Sequence, residues 1–131
     1  MSERPAEPAF DDEARAAIRR GVEEFNTGRF FECHDTIEDV WQGTRGPARD
    51  FLQGLIQISV GFYHLRNGNL TGARSQLEKG LANLESYGDA YGGIELRELR
   101  PAVGSWLEKI RRGEPIRGTL ADVPKYRFVG D

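Results

Sequence analysis

One segment of the chain places residues that could do chemistry on a single face of a predicted helix. His34, Glu38 and Trp41 are separated by four and three positions, a spacing that stacks an imidazole, a carboxylate and an indole along one side of an α-helix. An imidazole and a carboxylate one turn apart can bind the same divalent ion, as in helical zinc motifs. If this pair catalyses a reaction, Glu38 would be the general base or a ligand, and His34 a ligand or the acid.

A second polar pair lies on the next predicted helix. Gln53 and Gln57 are also four positions apart, and the short turn between the two helices predicts antiparallel packing. Counted from the middle of that turn, Gln57 lies level with His34. Gln53 lies level with Glu38. His64 is on the same stripe but roughly 10 Å further along the axis. The predicted ligand-binding residues are Trp41, Gln53, Gln57 and His64, and the predicted metal ligands are His34 and Glu38.

Two interpretations of this polar cluster stay open on the sequence alone. In the first, the cluster binds a divalent metal ion or a small polar ligand. A zinc site would need a further ligand, and the side chains that could supply it are His64, Glu32, Asp35 and Asp39. Asp35 and Asp39 point about 100° away from the stripe of His34, so a complete cage is not visible. In the second, His34 bridges Glu38 and Gln57 in a buried hydrogen-bond network that fixes the helix register.

The elements that must position these residues are predicted to be helices. Apolar residues recur with the 3.6-residue period, and no segment alternates convincingly as a strand would, so the class is all-α, a compact bundle of about five helices. The predicted helices cover about residues 11–26, 30–42, 47–67, 70–87 and 94–112. The third is apolar almost all round, which indicates a buried central helix. Gly54 and Gly61 within it each cost about 1 kcal/mol relative to alanine, which indicates close approach by another helix.

The chain divides into three predicted parts. Residues 1–10, with two prolines, form a flexible N-terminal lead, and residues 11–112 form the helical bundle domain. Residues 113–131 form a C-terminal tail that packs on the bundle, and we expect Tyr126 and Phe128 to anchor it.

A faint repeat with a period of forty residues runs through the first four helices. It sets Gly28 against Gly68, and the other aligned pairs include Phe25 with Leu65, Ile37 with Leu77, and Glu38 with Glu78. Helical hairpins at this period are similar to tetratricopeptide packing, although two copies fall short of the three that a solenoid generally needs. His34 aligns with Arg74, so the chemistry belongs to the first copy. The alternative function is therefore a non-catalytic protein-interaction module whose polar cluster is purely structural.

Composition limits the classes of partner. The net charge of −3 and the lack of a basic cluster flanked by aromatic residues argue against nucleic acid. Cys33 is the single cysteine, which excludes an internal disulfide and a thiolate zinc cage; it is predicted to be a small core residue. No apolar run is long enough for a membrane span, and residues 1–10 lack a secretory signal. We predict a cytoplasmic protein, with a small molecule, a second copy or another protein as the open partners.

The motif and its surroundings resemble the Domain of Unknown Function 309 family. The family motif, His-x-x-x-Glu-x-x-(Trp or Tyr), is matched by His34, Glu38 and Trp41. The likeness covers about residues 20–87, and Asp35 stands where glutamate is more usual. The resemblance implies a compact all-helical bundle with one central helix, no settled activity, and a metal site suggested at the motif. The C-terminal third lies outside it.

Overall fold

The helices of the described chain follow one another through short connections, and each packs against its neighbour in sequence. The computed structural model describes residues 4–116 and 120–130. Residues 1–3, 117–119 and 131, which fall in the predicted lead and tail, lie outside the described residues. The helices are α1 (Asp12–Asn26), α2 (Phe30–Gln42), α3 (Pro47–Arg66), α4 (Leu70–Leu84) and α5 (Leu99–Arg111). The all-α prediction is confirmed.

Local signals account for the ends of the helices. The Asp11 side chain accepts a hydrogen bond of 2.8 Å from the Ala14 amide, which satisfies a free donor in the first turn of α1. Pro47 occupies the first turn of α3, where its missing amide hydrogen costs nothing. Helix α4 ends at Leu84, earlier than predicted, and the chain continues as a 3₁₀ turn over Glu85–Tyr87.

The forty-residue repeat is visible in the backbone of the two hairpin turns. Gly28 follows α1 with φ +82°, and Gly68 follows α3 with φ +79°, a conformation that only glycine adopts without strain. The Gly28 amide donates to the Phe25 carbonyl over 3.0 Å, and the Gly68 amide donates to the Leu65 carbonyl over 3.1 Å. The chain therefore uses the same turn twice, and α1–α2 and α3–α4 are equivalent hairpins.

Helix α3 is the buried centre of the fold. Eleven of its twenty residues are buried, and it packs against both α2 and α4. A Cβ atom on Gly61 would lie 2.6 Å from the Leu77 side chain, and one on Gly54 would lie 2.8 Å from Leu84. Both distances are too short for real contacts. The glycines of α3 therefore allow α4 to approach closely, as the sequence predicted.

The prediction that no strand forms, and that the fifth helix begins near Ile94, is wrong. Ala90–Tyr91 pairs in antiparallel fashion with Ile94–Glu95. Between them Gly92 and Gly93 have φ of +58° and +81°, the two positive values that a two-residue hairpin turn of type I′ requires. These two glycines reverse the chain sharply, and α5 therefore begins only at Leu99.

The segments before α1 and after α5 contact the bundle. The Tyr91 hydroxyl, in the small hairpin, donates to the Ala6 carbonyl over 2.7 Å. Tyr126 is 1% exposed, and its hydroxyl donates to the Leu55 carbonyl of α3 over 2.7 Å. The guanidinium of Arg19 lies 4.7 Å from the centre of the Phe128 ring. The division into lead, bundle domain and tail, and the flexibility of the lead, stay predictions.

Candidate functional site

His34 and Glu38 meet on the outer side of α2. The imidazole Nε2 of His34 lies 2.8 Å from a carboxylate oxygen of Glu38, and its Nδ1 lies 3.2 Å from Asp35. Nδ1 is buried but has no aligned hydrogen-bond partner among the described residues, so its approach to Asp35 lacks hydrogen-bond geometry. The side chains of His34 and Glu38 are 24% and 39% exposed. The pair is therefore a half-exposed surface feature.

The two glutamines of α3 lie on its half-buried positions. The amide oxygen of Gln57 accepts a hydrogen bond of 2.6 Å from Asn83 of α4. The central helix α3 packs against both α2 and α4. The side chain of Gln57 points toward α4 and not toward α2. Gln53 is half-buried one turn earlier. The structure brings His34 and Glu38 together, whereas Gln57 bonds to Asn83 of α4, within its own hairpin.

Trp41 holds the turn between α2 and α3. The guanidinium of Arg49 lies 3.8 Å from the centre of the indole ring, and it donates to the Trp41 carbonyl over 3.0 Å and to the Thr44 carbonyl over 3.1 Å. Arg49 thus adds a second donor to the Trp41 carbonyl, which also accepts from the Thr44 amide over 3.0 Å, and adds a cation–π interaction with the indole. This geometry gives Trp41 a structural task within the motif.

His64 belongs to a row of rings on the surface between α2 and α3, which we call the aromatic strip: Phe31, His34, Tyr63 and His64. Ring centres are 5.5 Å apart for Phe31 and His34, 5.3 Å for Phe31 and Tyr63, and 5.8 Å for Tyr63 and His64. All three pairs are tilted, an arrangement that aromatic rings favour. His64 also reaches Asn69, with 3.4 Å between Nδ1 and the amide nitrogen. His34 and His64 thus lie at opposite ends of one strip.

Sequence reasoning missed Phe31 as a member of this site. Its side chain is 46% exposed, whereas the adjacent Phe30 is 1% exposed and lies in the core. Successive helical residues point about 100° apart, so on an outer helix with a single buried face one of two neighbouring phenylalanines is turned toward the edge of that face. That rule was a signal in the sequence that one of them lies on the surface, three residues before His34.

The residues at the motif do not form a complete metal centre. Across residues 4–116 and 120–130, no group of three or more histidine, cysteine, aspartate or glutamate side chains is placed to hold a metal ion. His34 and Glu38 supply two ligands, fewer than the three or four of a zinc site. Cavities of about 830 Å³ and about 750 Å³ lie elsewhere, and neither is lined by His34 or Glu38. The half-exposed His34–Glu38 pair therefore lies outside these two cavities.

Cys33 lies directly before His34 but faces the other way. Its side chain is 0% exposed, and burial raises the pKa of its thiol from 9.0 to about 12. At neutral pH the thiolate fraction is therefore about a thousandfold below that of an ordinary cysteine. The prediction of a small core residue is confirmed, and a buried, protonated thiol is a poor nucleophile.

The fold and the site together define a small protein of paired helical hairpins with a His–Glu pair on one outer helix. Residues 18–76 match the model of the family described as Domain of unknown function (DUF309). The match includes α2 with the whole motif and all of α3, and it confirms the resemblance that the sequence predicted.

Two curated relatives each resemble more than half of the chain. An uncharacterized protein of Aquifex aeolicus is 25% identical over 87 residues, which is 66% of this chain and 25% of that protein. The uncharacterized protein YpuF of Bacillus subtilis is 32% identical over 73 residues, which is 55% of this chain and 42% of that protein. The matched segment thus spans less than half the length of either relative. Neither name carries an activity.

Within residues 4–116 and 120–130, no helix combines the length and the apolar character that a membrane crossing needs.

Proposed function

We propose that the chain is a non-catalytic protein-interaction module, and that the aromatic strip is its contact surface. The observation that carries this proposal is the exposure of Phe31, at 46%, beside the rings of His34 and Tyr63. A large aromatic side chain left in water is unfavourable by about 1–2 kcal/mol relative to burial. Exposed aromatic residues that lie together mark binding surfaces more often than isolated ones do.

The setting of the His34–Glu38 pair supports the same proposal. The half-exposed pair lines neither of the cavities of about 830 Å³ and about 750 Å³, whereas small ligands are usually bound in concave pockets that enclose most of their surface. At the edge of a protein contact, a half-exposed imidazole and carboxylate would supply directional hydrogen bonds around an aromatic centre. Paired helical hairpins are a common scaffold for such contacts.

A photo-crosslinking experiment tests the contact surface. Phe31 is replaced by the photoreactive p-benzoylphenylalanine in the native host, and crosslinked proteins are identified by mass spectrometry. Leu70 is the matched control position, because its side chain is also apolar and 45% exposed but lies outside the strip. We expect a discrete partner from position 31, with a lower yield after Tyr63→Ala. The same crosslinks at both positions, or none at position 31, would count against the module.

The second candidate function is a site for a divalent metal ion or a small polar ligand at His34 and Glu38, for which the sequence also predicts Trp41, Gln53, Gln57 and His64. The observation that favours it is the 2.8 Å approach of the imidazole and carboxylate, which would let both groups contact one ion. It ranks second because two ligands leave most of a coordination shell to water or to another molecule.

A thermal melt with added Zn²⁺, Mn²⁺ or Mg²⁺ separates the two candidates. A ligand at a hundred times its Kd stabilises the folded state by about 2.7 kcal/mol. We expect each ion at 100 µM to move Tm by less than about 1 °C, because a two-ligand surface site binds weakly. A larger increase that disappears in His34→Ala but persists in His64→Ala would place the metal site first.

We also propose a cytoplasmic setting and a protein partner. The single cysteine, reduced and buried, supports a compartment where disulfides are not needed. The net charge of −3 supports neither nucleic acid nor an anionic membrane surface as the partner. A second copy of the chain would satisfy the proposal as well as a different protein.

A further inference from the structure

The side of the aromatic strip that α2 forms is acidic. Helix α2 contains no lysine or arginine, and its acidic residues are Glu32, Asp35, Glu38 and Asp39. Among the described residues, the only ion-pair partner of Asp35 and Glu38 is the imidazole of His34. These two carboxylates are 63% and 39% exposed. A partner that covers the strip would therefore contact two carboxylates that no arginine or lysine of the described residues neutralises.

The second hairpin contains the equivalent pair with an additional cation in place. Glu78, forty residues after Glu38, lies 2.8 Å from Arg74, just as Glu38 lies 2.8 Å from His34. Glu78 is also approached by Arg111 of α5, at 3.7 Å. In the second hairpin, helix α5 thus places Arg111 close to Glu78. In the first hairpin no arginine or lysine of the described residues pairs with Glu38.

The rings of the strip suit a guanidinium group. Arginine stacks on aromatic faces and at the same time donates to carboxylates with its planar fork. The protein uses this stacking elsewhere, since Arg49 lies 3.8 Å from the Trp41 ring centre and Arg66 lies 5.0 Å from that of Phe30. Phe31 offers an exposed ring whose centre lies 5.5 Å from that of His34, and the His34 imidazole contacts both carboxylates.

We propose that the aromatic strip binds an arginine side chain of the partner protein, stacked on Phe31 and paired with Glu38 and Asp35. The inference rests on the proposed function and names the chemistry of its partner. The arginine of the partner would pair with Glu38 as Arg111 pairs with Glu78. Recognition weakens as salt concentration rises, because exposed charge pairs are screened.

The test is an NMR titration of the full chain with N-acetyl-arginine amide, compared with N-acetyl-citrulline amide, its neutral isostere. We expect arginine to shift the aromatic resonances of Phe31 and Tyr63 and the amides around residues 31–38, and citrulline to shift them much less. Glu38→Gln should weaken the arginine response by about two- to fivefold, the range for an exposed charge pair. Glu78→Gln is the matched control and should leave the response at the strip unchanged.

The contrary results are equally specific. Equal shifts with citrulline, shifts confined to other parts of the chain, or an unchanged response in Glu38→Gln would overturn the inference. The proposed module is judged separately, by crosslinking at position 31. A crosslinked partner whose contact segment contains no arginine refutes this inference and leaves the module standing.

Discussion

Gly80→Ala is expected to lower the free energy of unfolding by about 1–3 kcal/mol, the usual cost of an added methyl group in a packed interior. A Cβ atom on Gly80 would lie 2.8 Å from Ile58, 3.0 Å from the Gly54 carbonyl oxygen and 3.2 Å from the Ile58 amide nitrogen. Two of these three neighbours are backbone atoms of α3, which cannot move aside without displacing the central helix. Urea unfolding followed by circular dichroism measures the change.

Gly104→Ala is the matched control for this prediction. Gly104 lies within α5, and a Cβ atom there would meet nothing within 4 Å. Its replacement should therefore stabilise the protein by about 0.5–1 kcal/mol, the ordinary advantage of alanine over glycine in a helix. Both substitutions add one methyl group to a helix, but Gly80 is closely packed against α3 whereas Gly104 has open space beside it. If Gly80→Ala were as stabilising as Gly104→Ala, the close approach of α3 and α4 would be refuted.

The helices could be predicted because their signals are local. Helix α2 was predicted over the residues it occupies, and the turns at Gly28 and Gly68 mark the starts of α2 and α4. The close approach at Gly54 and Gly61 also followed from the sequence, because glycines inside an apolar helix are costly unless something packs against them. The small hairpin was missed because its strands are two residues long. Only Gly92 and Gly93 marked it, since so short a strand shows no alternation.

The candidate site was harder to predict because it depends on the rotation of each helix. The pairing of His34 with Glu38 needed only the rise of one helical turn. The direction of Gln57 depended on which neighbour of the central helix it faces, and its side chain bonds to Asn83 of α4 and not to His34 of α2. The height of each residue along its helix follows from the length of the turn, so it could be predicted from the sequence. The rotation of α3 about its own axis is set by packing, and the contacts of α3 with Gly80 and Leu84 of α4 help to set it.

Tyr126→Ala is expected to lower the free energy of unfolding by about 3–5 kcal/mol, as truncation of a large aromatic core residue does. The Tyr126 ring is stacked on Phe25, with 3.8 Å between centres and 7° between planes, and its hydroxyl donates to the Leu55 carbonyl over 2.7 Å. Asn26 holds the backbone of the same residue with two hydrogen bonds of 2.8 Å each. One tail residue thus connects α1 to the central helix. Thermal unfolding by calorimetry measures the loss.

Two further variants keep this prediction testable even where Tyr126→Ala fails to fold. Tyr126→Phe removes only the hydroxyl and should cost about 1 kcal/mol, the net value of one hydrogen bond. Val129→Ala, in the same tail but 60% exposed, should change stability by less than about 0.5 kcal/mol. Burial raises the pKa of Tyr126 well above 10.0, so the wild type should lose stability as the pH rises past about 10, where the unfolded phenol ionises. Equal stability of Tyr126→Phe and the wild type from pH 7 to pH 10 would mean that this hydroxyl does not anchor the tail.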